Sequence, residues 1–240
     1  MYRIIQQAAE LIYPRRCPLC DGLLGKKEPL LCRKCAEKLK LVEGPRCFRC
    51  GKPLGNDEEE YCGDCARAGR RFESGFAPFA YQGLYKKSVL RFKYGGRQEY
   101  AGFYSASILR FGGGKIRRWN PDVLIPVPIH RKRLLRRGYN QAEVLARRLG
   151  KETGIPTVAD AVVRKRNTAA QKLLGSRERR KNLEDAFAAG KGIKAWKCAL
   201  IVDDIYTTGS TVDAVAKVLK DSGAGRIYFV CVCVTPGGFL

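Results

Sequence analysis

Long apolar runs are missing from this sequence. The longest, Ile227–Val234, has eight residues, against the roughly 20 that a bilayer-crossing helix needs, so an integral membrane protein is excluded. An export signal is missing as well. The N-terminus, MYRIIQQAAELIYPRRC, has neither a continuous apolar stretch nor a small-residue cleavage site. Ile4, Ile5, Ala8, Leu11 and Ile12 fall instead on one helical face, which predicts a short amphipathic helix and a cytoplasmic chain. Histidine is nearly absent: His130 stands alone and reads as a loop residue rather than a general base. No GxxxxGK[ST] occurs, and the GGGK at Gly112–Lys115 lacks the following Ser or Thr, which removes an ATP-type P-loop. Acids are scarce: 23 Asp+Glu face 46 Lys+Arg, a formal charge of +23 that favours a polyanionic partner or substrate. With 45% hydrophobic and 29% charged residues the chain is globular, not disordered.

Cysteine is plentiful, and it is concentrated at one end. Eight of the eleven form four CxxC pairs in the first 65 residues: Cys17/Cys20, Cys32/Cys35, Cys47/Cys50 and Cys62/Cys65. The two halves superimpose at a shift of 30 residues, each reading CxxC, eleven residues, CxxC. A tetrahedral zinc takes four thiolates, and each CxxC turn supplies two, so two structural zinc ions are expected. Arg15, Arg16, Arg33, Lys34, Arg46 and Arg49 sit beside the sulfurs, where cations help keep them ionised. Disulfides would need an oxidising compartment, and a redox CxxC is normally single. The pairing stays open: sequential and interleaved sites use the same residues. Two zinc tetrathiolates at −2 each lower the formal +23 to about +19, and the polyanion argument survives. Cys198, Cys231 and Cys233 lie in apolar runs and read as core thiols.

A connector rich in Arg, Gly and Ala runs from Ala66 to Ser74, placing a division between residues 1–70 and 71–240. Beyond it, strands and helices alternate. Phe76, Phe79 and Tyr81 suit a strand or hairpin; Leu84 to Phe92 fits a helix stopping at Gly95-Gly96. A second helix is predicted over Glu99–Phe111, ending at Gly112–Gly114. Val123–Pro128 and Cys198–Asp204 read as buried strands, Tyr139–Thr153 and Ser210–Ser222 as helices, and Ile227–Val234 as a closing strand. Apolar strands alternating with helices mean an α/β fold, a parallel sheet with helices on both faces.

Ligands bind such sheets beyond the carboxyl ends of strands. The sharpest candidate is ALIVDDIYTTGST, Ala199–Thr211: an apolar strand, two carboxylates, then a hydroxyl-rich turn entering a helix. Backbone N–H groups, hydroxyls and the helix dipole make a phosphate cradle. Adjacent carboxylates suit a ribose diol or Mg²⁺ held through water. RKRLLRR, Arg131–Arg137, carries five bases in seven residues, either a solvated turn or a phosphate-contact patch. Arg164–Lys181 holds eight Lys/Arg against one acid, Glu178, which suits a loop that orders around an anion.

Ala199–Thr211 resembles the phosphoribosyltransferase fingerprint without gaps. The CxxC head, Pro126–Ala146 and Arg164–Phe187 are together similar to the ComF family, the competence-associated branch of phosphoribosyltransferase-like proteins. The resemblance implies a phosphoribosyltransferase-like domain after a double zinc ribbon. It implies that Asp203 and Asp204 contact the ribose hydroxyls of phosphoribosyl pyrophosphate (PRPP), bound with Mg²⁺. Thr207, Thr208, Gly209, Ser210 and Thr211 would hold its 5′-phosphate, and Pro126–Arg131, with Pro128 and Arg131, would lie on the pyrophosphate side. Arg164, Thr168, Gln171, Arg179 and Asn182 match the mobile active-site loop, and Asp203, Asp204 and Arg164 are the catalytic candidates. The family also implies handling of single-stranded DNA in natural transformation, alongside other competence or DNA-processing proteins. Arg133, Arg136, Arg137, Arg164, Lys165 and Arg166 are the candidate nucleic-acid contacts; Phe48, Tyr61 and Phe72 read equally as base-stacking aromatics or as ribbon core. The alternative is an active phosphoribosyltransferase moving ribose 5-phosphate to a nitrogen nucleophile. No base-recognition hood is identifiable in residues 75–115, which weakens that reading. A purely structural zinc adaptor is a third, opposed by the intact fingerprint.

Overall fold

The computed structural model describes residues 14–25, 27–165 and 185–236. The expected N-terminal helix, Arg166, Thr168, Gln171, Arg179 and Asn182 lie outside the described residues. The head begins with four CxxC turns, two of which lead into the single-turn helices α1 (Arg33–Ala36) and α2 (Gly63–Ala66). The body is a parallel sheet. Strands β1 (Ser74–Phe76) and β2 (Phe79–Ala80) both run alongside the last strand, β7 (Arg226–Val234). The aromatic stretch is therefore one interrupted edge strand and not a hairpin. Inward from it come β6 (Cys198–Tyr206) and β3 (Val123–Pro126), giving the order β1-β7-β6-β3. A separate antiparallel pair, β4 (Val162–Arg164) with β5 (Phe187–Ala189), had no counterpart in the sequence reading.

Alternation along the strands builds two cores. On one face Leu124, Leu200, Val202 and Val230 pack against α3 (Gly83–Tyr94), α4 (Ala101–Trp119) and α6 (Gln141–Thr153), together with Cys17, Leu19 and Cys35 of the first ribbon. On the other, Val123, Ile125, Ala199, Ile201 and Phe229 pack against α7 (Ser210–Asp221) and against Cys47, Cys50, Cys62 and Cys65 of the second. Each ribbon thus closes one core. The head also seals the β1–β2 edge: Val42 N–H donates to Pro78 O (2.9 Å), Arg46 to Ala77 O (3.1 Å) and Ser74 Oγ to Phe48 O (3.0 Å).

Helix α4 departs from expectation. It passes through Gly112–Gly114 and ends only at Trp119, where Asn120 takes a left-handed conformation (φ 48°) before Pro121. Gly112 is there for packing, since a Cβ at this position would lie 2.4 Å from the Phe76 ring. Gly114 is exposed and meets nothing within 4 Å. Gly112→Ala should therefore cost about 1–3 kcal/mol through overpacking. Gly114→Ala, on the same helix, should gain about 0.5–1 kcal/mol from reduced backbone entropy. Denaturant midpoints of the two variants should move in opposite directions; a shared direction would contradict this packing.

Candidate functional site

The eight N-terminal cysteines gather as two sets, Cys17/Cys20/Cys32/Cys35 and Cys47/Cys50/Cys62/Cys65, each with all sulfurs within 4.8 Å of one another. The pairing is sequential. Cys20–Cys32 and Cys50–Cys62 sulfurs stand 3.7 and 3.6 Å apart. A tetrahedron with Zn–S bonds of ~2.3 Å has edges of ~3.8 Å, so both sets fit zinc. They differ in exposure: Cys20 is exposed and Cys32 half-buried, whereas the second set is wholly buried. Cys198, Cys231 and Cys233 are core thiols as expected, and burial pushes all three up, away from reactivity.

Strand β6 runs two residues past the expected Asp204, to Tyr206. Successive side chains therefore send Asp203 and Asp204 to opposite faces at the sheet's carboxyl edge. Asp204 is buried and meets Lys93 of α3 at 2.8 Å. Burial works against the Lys93 charge, yet Asp204 and then Asp203 hold its pKa above the ordinary value. Asp203 accepts the Asp204 N–H (2.8 Å). Burial, then the neighbouring Asp204 charge, pushes Asp203 up to about 7. The turn follows directly, with Thr207 and Thr208 exposed and Ser210 and Thr211 half-buried. Gly209 is the N-cap of α7 at φ 78°, and a Cβ there would lie 2.2 Å from the Tyr206 hydroxyl. Gly209 brings no capping side chain to α7; Thr208 Oγ1 accepts the Ser210 N–H at 3.5 Å, and the positive end of the helix dipole favours an anion at the turn.

Cations approach this edge from two sides. Arg164, at the end of β4, stacks over Phe187 at 5.1 Å. Burial, then repulsion from Arg133, brings Arg164 down to about 10, with Asp203 opposing the shift. Arg133, also a candidate DNA contact, therefore stands near enough to Arg164 to repel its charge. RKRLLRR is a helix, α5 (Arg131–Arg137), and not a turn. His130 caps it by accepting the Lys132 N–H (3.2 Å). Arg131 is exposed on its first turn, and Pro128 is buried just before it. Arg137 donates to Tyr94 Oη and Gln141 Oε1 (both 2.8 Å) and, with Arg136, lies over the Tyr94 ring at 4.6 and 5.7 Å. Lys165 is exposed beyond Arg164. Phe72 is 2% exposed, a core residue rather than a stacking platform, whereas Phe48 and Tyr61 are exposed at 66% and 42%. Sequence reasoning missed Lys93, whose role only the fold reveals.

Residues 8–66 match the Double zinc ribbon domain and residues 114–238 the Phosphoribosyl transferase domain. "Competence protein F" of Haemophilus influenzae is 31% identical over 218 residues, covering 88% of this chain and 93% of that protein. The chain belongs to the ComF family. "Competence protein ComFC" of Bacillus subtilis is 26% identical over 227 residues, 86% of this chain and 89% of its own length. "DNA utilization protein YhgH" of Escherichia coli K12 is 37% identical over 115 residues, 48% of this chain and 50% of its own. Among the described residues of this ComF-family chain, no helix is long and apolar enough to cross a membrane.

Two outcomes follow for this ComF chain. Elemental analysis should find two zinc ions. A strong chelator should take the first ribbon's ion sooner, because Cys20 is exposed, and loss of the second should lower the melting temperature of the whole sheet, whose core it shares. A sheet melting unchanged after complete stripping would refute the shared core. Asp203, with its folded pKa near 7, binds more protons in the native than in the unfolded state. Stability should thus fall as pH rises from about 4 to 7. Asp203→Asn should remove that slope and be the more stable protein by about 1–3 kcal/mol above pH 7, read from denaturant midpoints across pH.

Proposed function

We propose that this chain binds PRPP with Mg²⁺ at the carboxyl edge of β6 and handles single-stranded DNA during DNA uptake in the cytoplasm. Residues 71–240 hold the phosphoribosyl ligand, and residues 1–70 with the basic surface meet DNA and other competence or DNA-processing proteins. One observation carries the reading: two carboxylates on β6 lead through a hydroxyl-rich turn into the N-terminus of α7, whose N-cap is Gly209. Asp203 and Asp204 accept from the ribose diol, and Thr207–Thr211 surround the 5′-phosphate. Arg164, with Arg133 and Arg131, takes the pyrophosphate, whose charge Mg²⁺ shares. The names of the ComF relatives, which speak of competence and DNA utilization, support the DNA side. So does the second ribbon's surface, where Phe48 and Tyr61 meet edge to face at 6.3 Å and Arg49 lies 5.5 Å over Tyr61. Transfer of ribose 5-phosphate to a nitrogen nucleophile is the second reading, supported by the pairing of buried Asp204 with half-buried Lys93, an environment that suits charge development.

Calorimetry with PRPP and Mg²⁺ tests the site. Asp203→Asn with Asp204→Asn should weaken binding by about 2–4 kcal/mol, and unchanged affinity in a folded variant would overturn the assignment. Pyrophosphate release on adding nitrogen bases would select the second reading. On the DNA side, Phe48→Ala with Tyr61→Ala should weaken single-strand binding about tenfold or more without altering its salt slope, since stacking releases no counterions. Arg133→Gln, Arg136→Gln and Arg137→Gln together should flatten that slope by up to about 2 units. Arg137, already held by Tyr94 and Gln141, should contribute least.

A further inference from the structure

The connector between head and sheet does more than join them. Arg70 Nη2 donates to Asp64 O (3.0 Å), inside the Cys62–Cys65 turn, and to Thr208 O (2.7 Å), in the turn before α7. Next to it, the Arg71 N–H and guanidinium reach the Asp213 carboxylate at 2.7 and 3.0 Å, pinning the first turn of α7. From beneath, the Tyr206 ring stacks on Phe229 at 4.6 Å and leaves no room for a side chain on Gly209.

Two donors in this region are buried without a nitrogen or oxygen partner among the described residues: Arg70 Nε and Tyr206 Oη. Their neighbours are the second ribbon's sulfurs, Cys65 for Arg70 and Cys50 for Tyr206. A zinc-bound thiolate retains lone pairs and accepts N–H and O–H groups from the surrounding shell. A tetrathiolate zinc carries −2, and Arg70 together with the buried Lys52, 2.7 Å from Asp64, supplies positive charge beside it. The orphaned donors are thus matched to a metallated site.

We propose that Arg70 and Tyr206 bridge the second zinc site to the phosphate turn, so that metal at Cys47/Cys50/Cys62/Cys65 sets the geometry of Thr207–Thr211. Arg70 is then a positioning residue: one end satisfies a thiolate and the other fixes the Thr208 carbonyl, which leaves the turn's N–H groups aimed outward. The ligand half of this proposal rests on the phosphoribosyl reading above; the metal-to-turn half does not. Coupling is reciprocal, so a ligand in the turn must also hold the zinc.

Two measurements separate the halves. With both zinc ions bound, Arg70→Ala should speed amide hydrogen exchange at Thr208–Val212 about tenfold and leave β3 and α6 unchanged. Arg70→Lys should behave like Arg70→Ala, because one ammonium cannot span both acceptors. Arg67→Ala, exposed on the same turn of chain, should alter nothing. Ribose 5-phosphate should slow the late phase of zinc loss to a chromophoric chelator at least about fivefold in the wild type but not in Arg70→Ala. Should Arg70→Ala fail to fold, Tyr206→Phe, which removes only the hydroxyl, should still speed that late phase. Unchanged exchange at Thr208–Val212 in Arg70→Ala, or unchanged zinc loss in Tyr206→Phe, would overturn the bridge. Faster exchange in Arg70→Ala, together with a wild type that binds no ribose 5-phosphate, would uphold the bridge and remove the phosphoribosyl reading.

Discussion

Burial of four sulfurs against the sheet is the constraint on which the rest of this molecule depends. A head of some 60 residues, mostly turns, has too little apolar surface to build its own core. It borrows two. Cys17 and Cys35 complete the packing under α3 and α4, while Cys47, Cys50, Cys62 and Cys65 complete the packing beside α7. The dependence runs both ways, because β1 and β2 are only three and two residues long and their outer edge is satisfied by the head. Metal geometry therefore enters the stability of a sheet whose strands hold none of the zinc-site cysteines.

Strand β6 turns that scaffold into a site. Neighbouring side chains on a strand point to opposite faces, so Asp203 and Asp204 emerge from different cores; Lys93 of α3 pairs with Asp204 and also acts on Asp203, which feels Arg164 of β4 as well. Neither acid is placed by its own loop. Each is placed by the packing of the face from which it projects, and the two converge only where the strand ends and the chain turns into α7.

The CxxC ladder, the α/β alternation and the Ala199–Thr211 fingerprint were legible because each is written in adjacent residues whose spacing carries the physics. What failed to show was written across distance. Gly112–Gly114 looked like a stop because the ring that requires Gly112, Phe76, comes from another strand. Local sequence leaves Phe72 open between a stacking surface and a core, and the distant Phe229 and Tyr206 decide for the core. Lys93 and Arg70 have no local signature, and Arg70 finds Thr208 from 138 residues away. β4 and β5, three residues each, are too short to show a period.

The pairing of β1 with β7 has a consequence for the order of events as the chain is made. Ser74 lies opposite Tyr228, so the edge strand leaves the ribosome long before its partner exists. During that interval Phe72, Phe76 and Phe79 have no sheet to enter, and sequence-distant pairing of this kind is slow and exposed to aggregation. The ribbons need no such wait, since every ligand of each zinc lies within 19 consecutive residues. Metal capture can therefore give the nascent N-terminal segment its first fixed structure, which the last strand then joins.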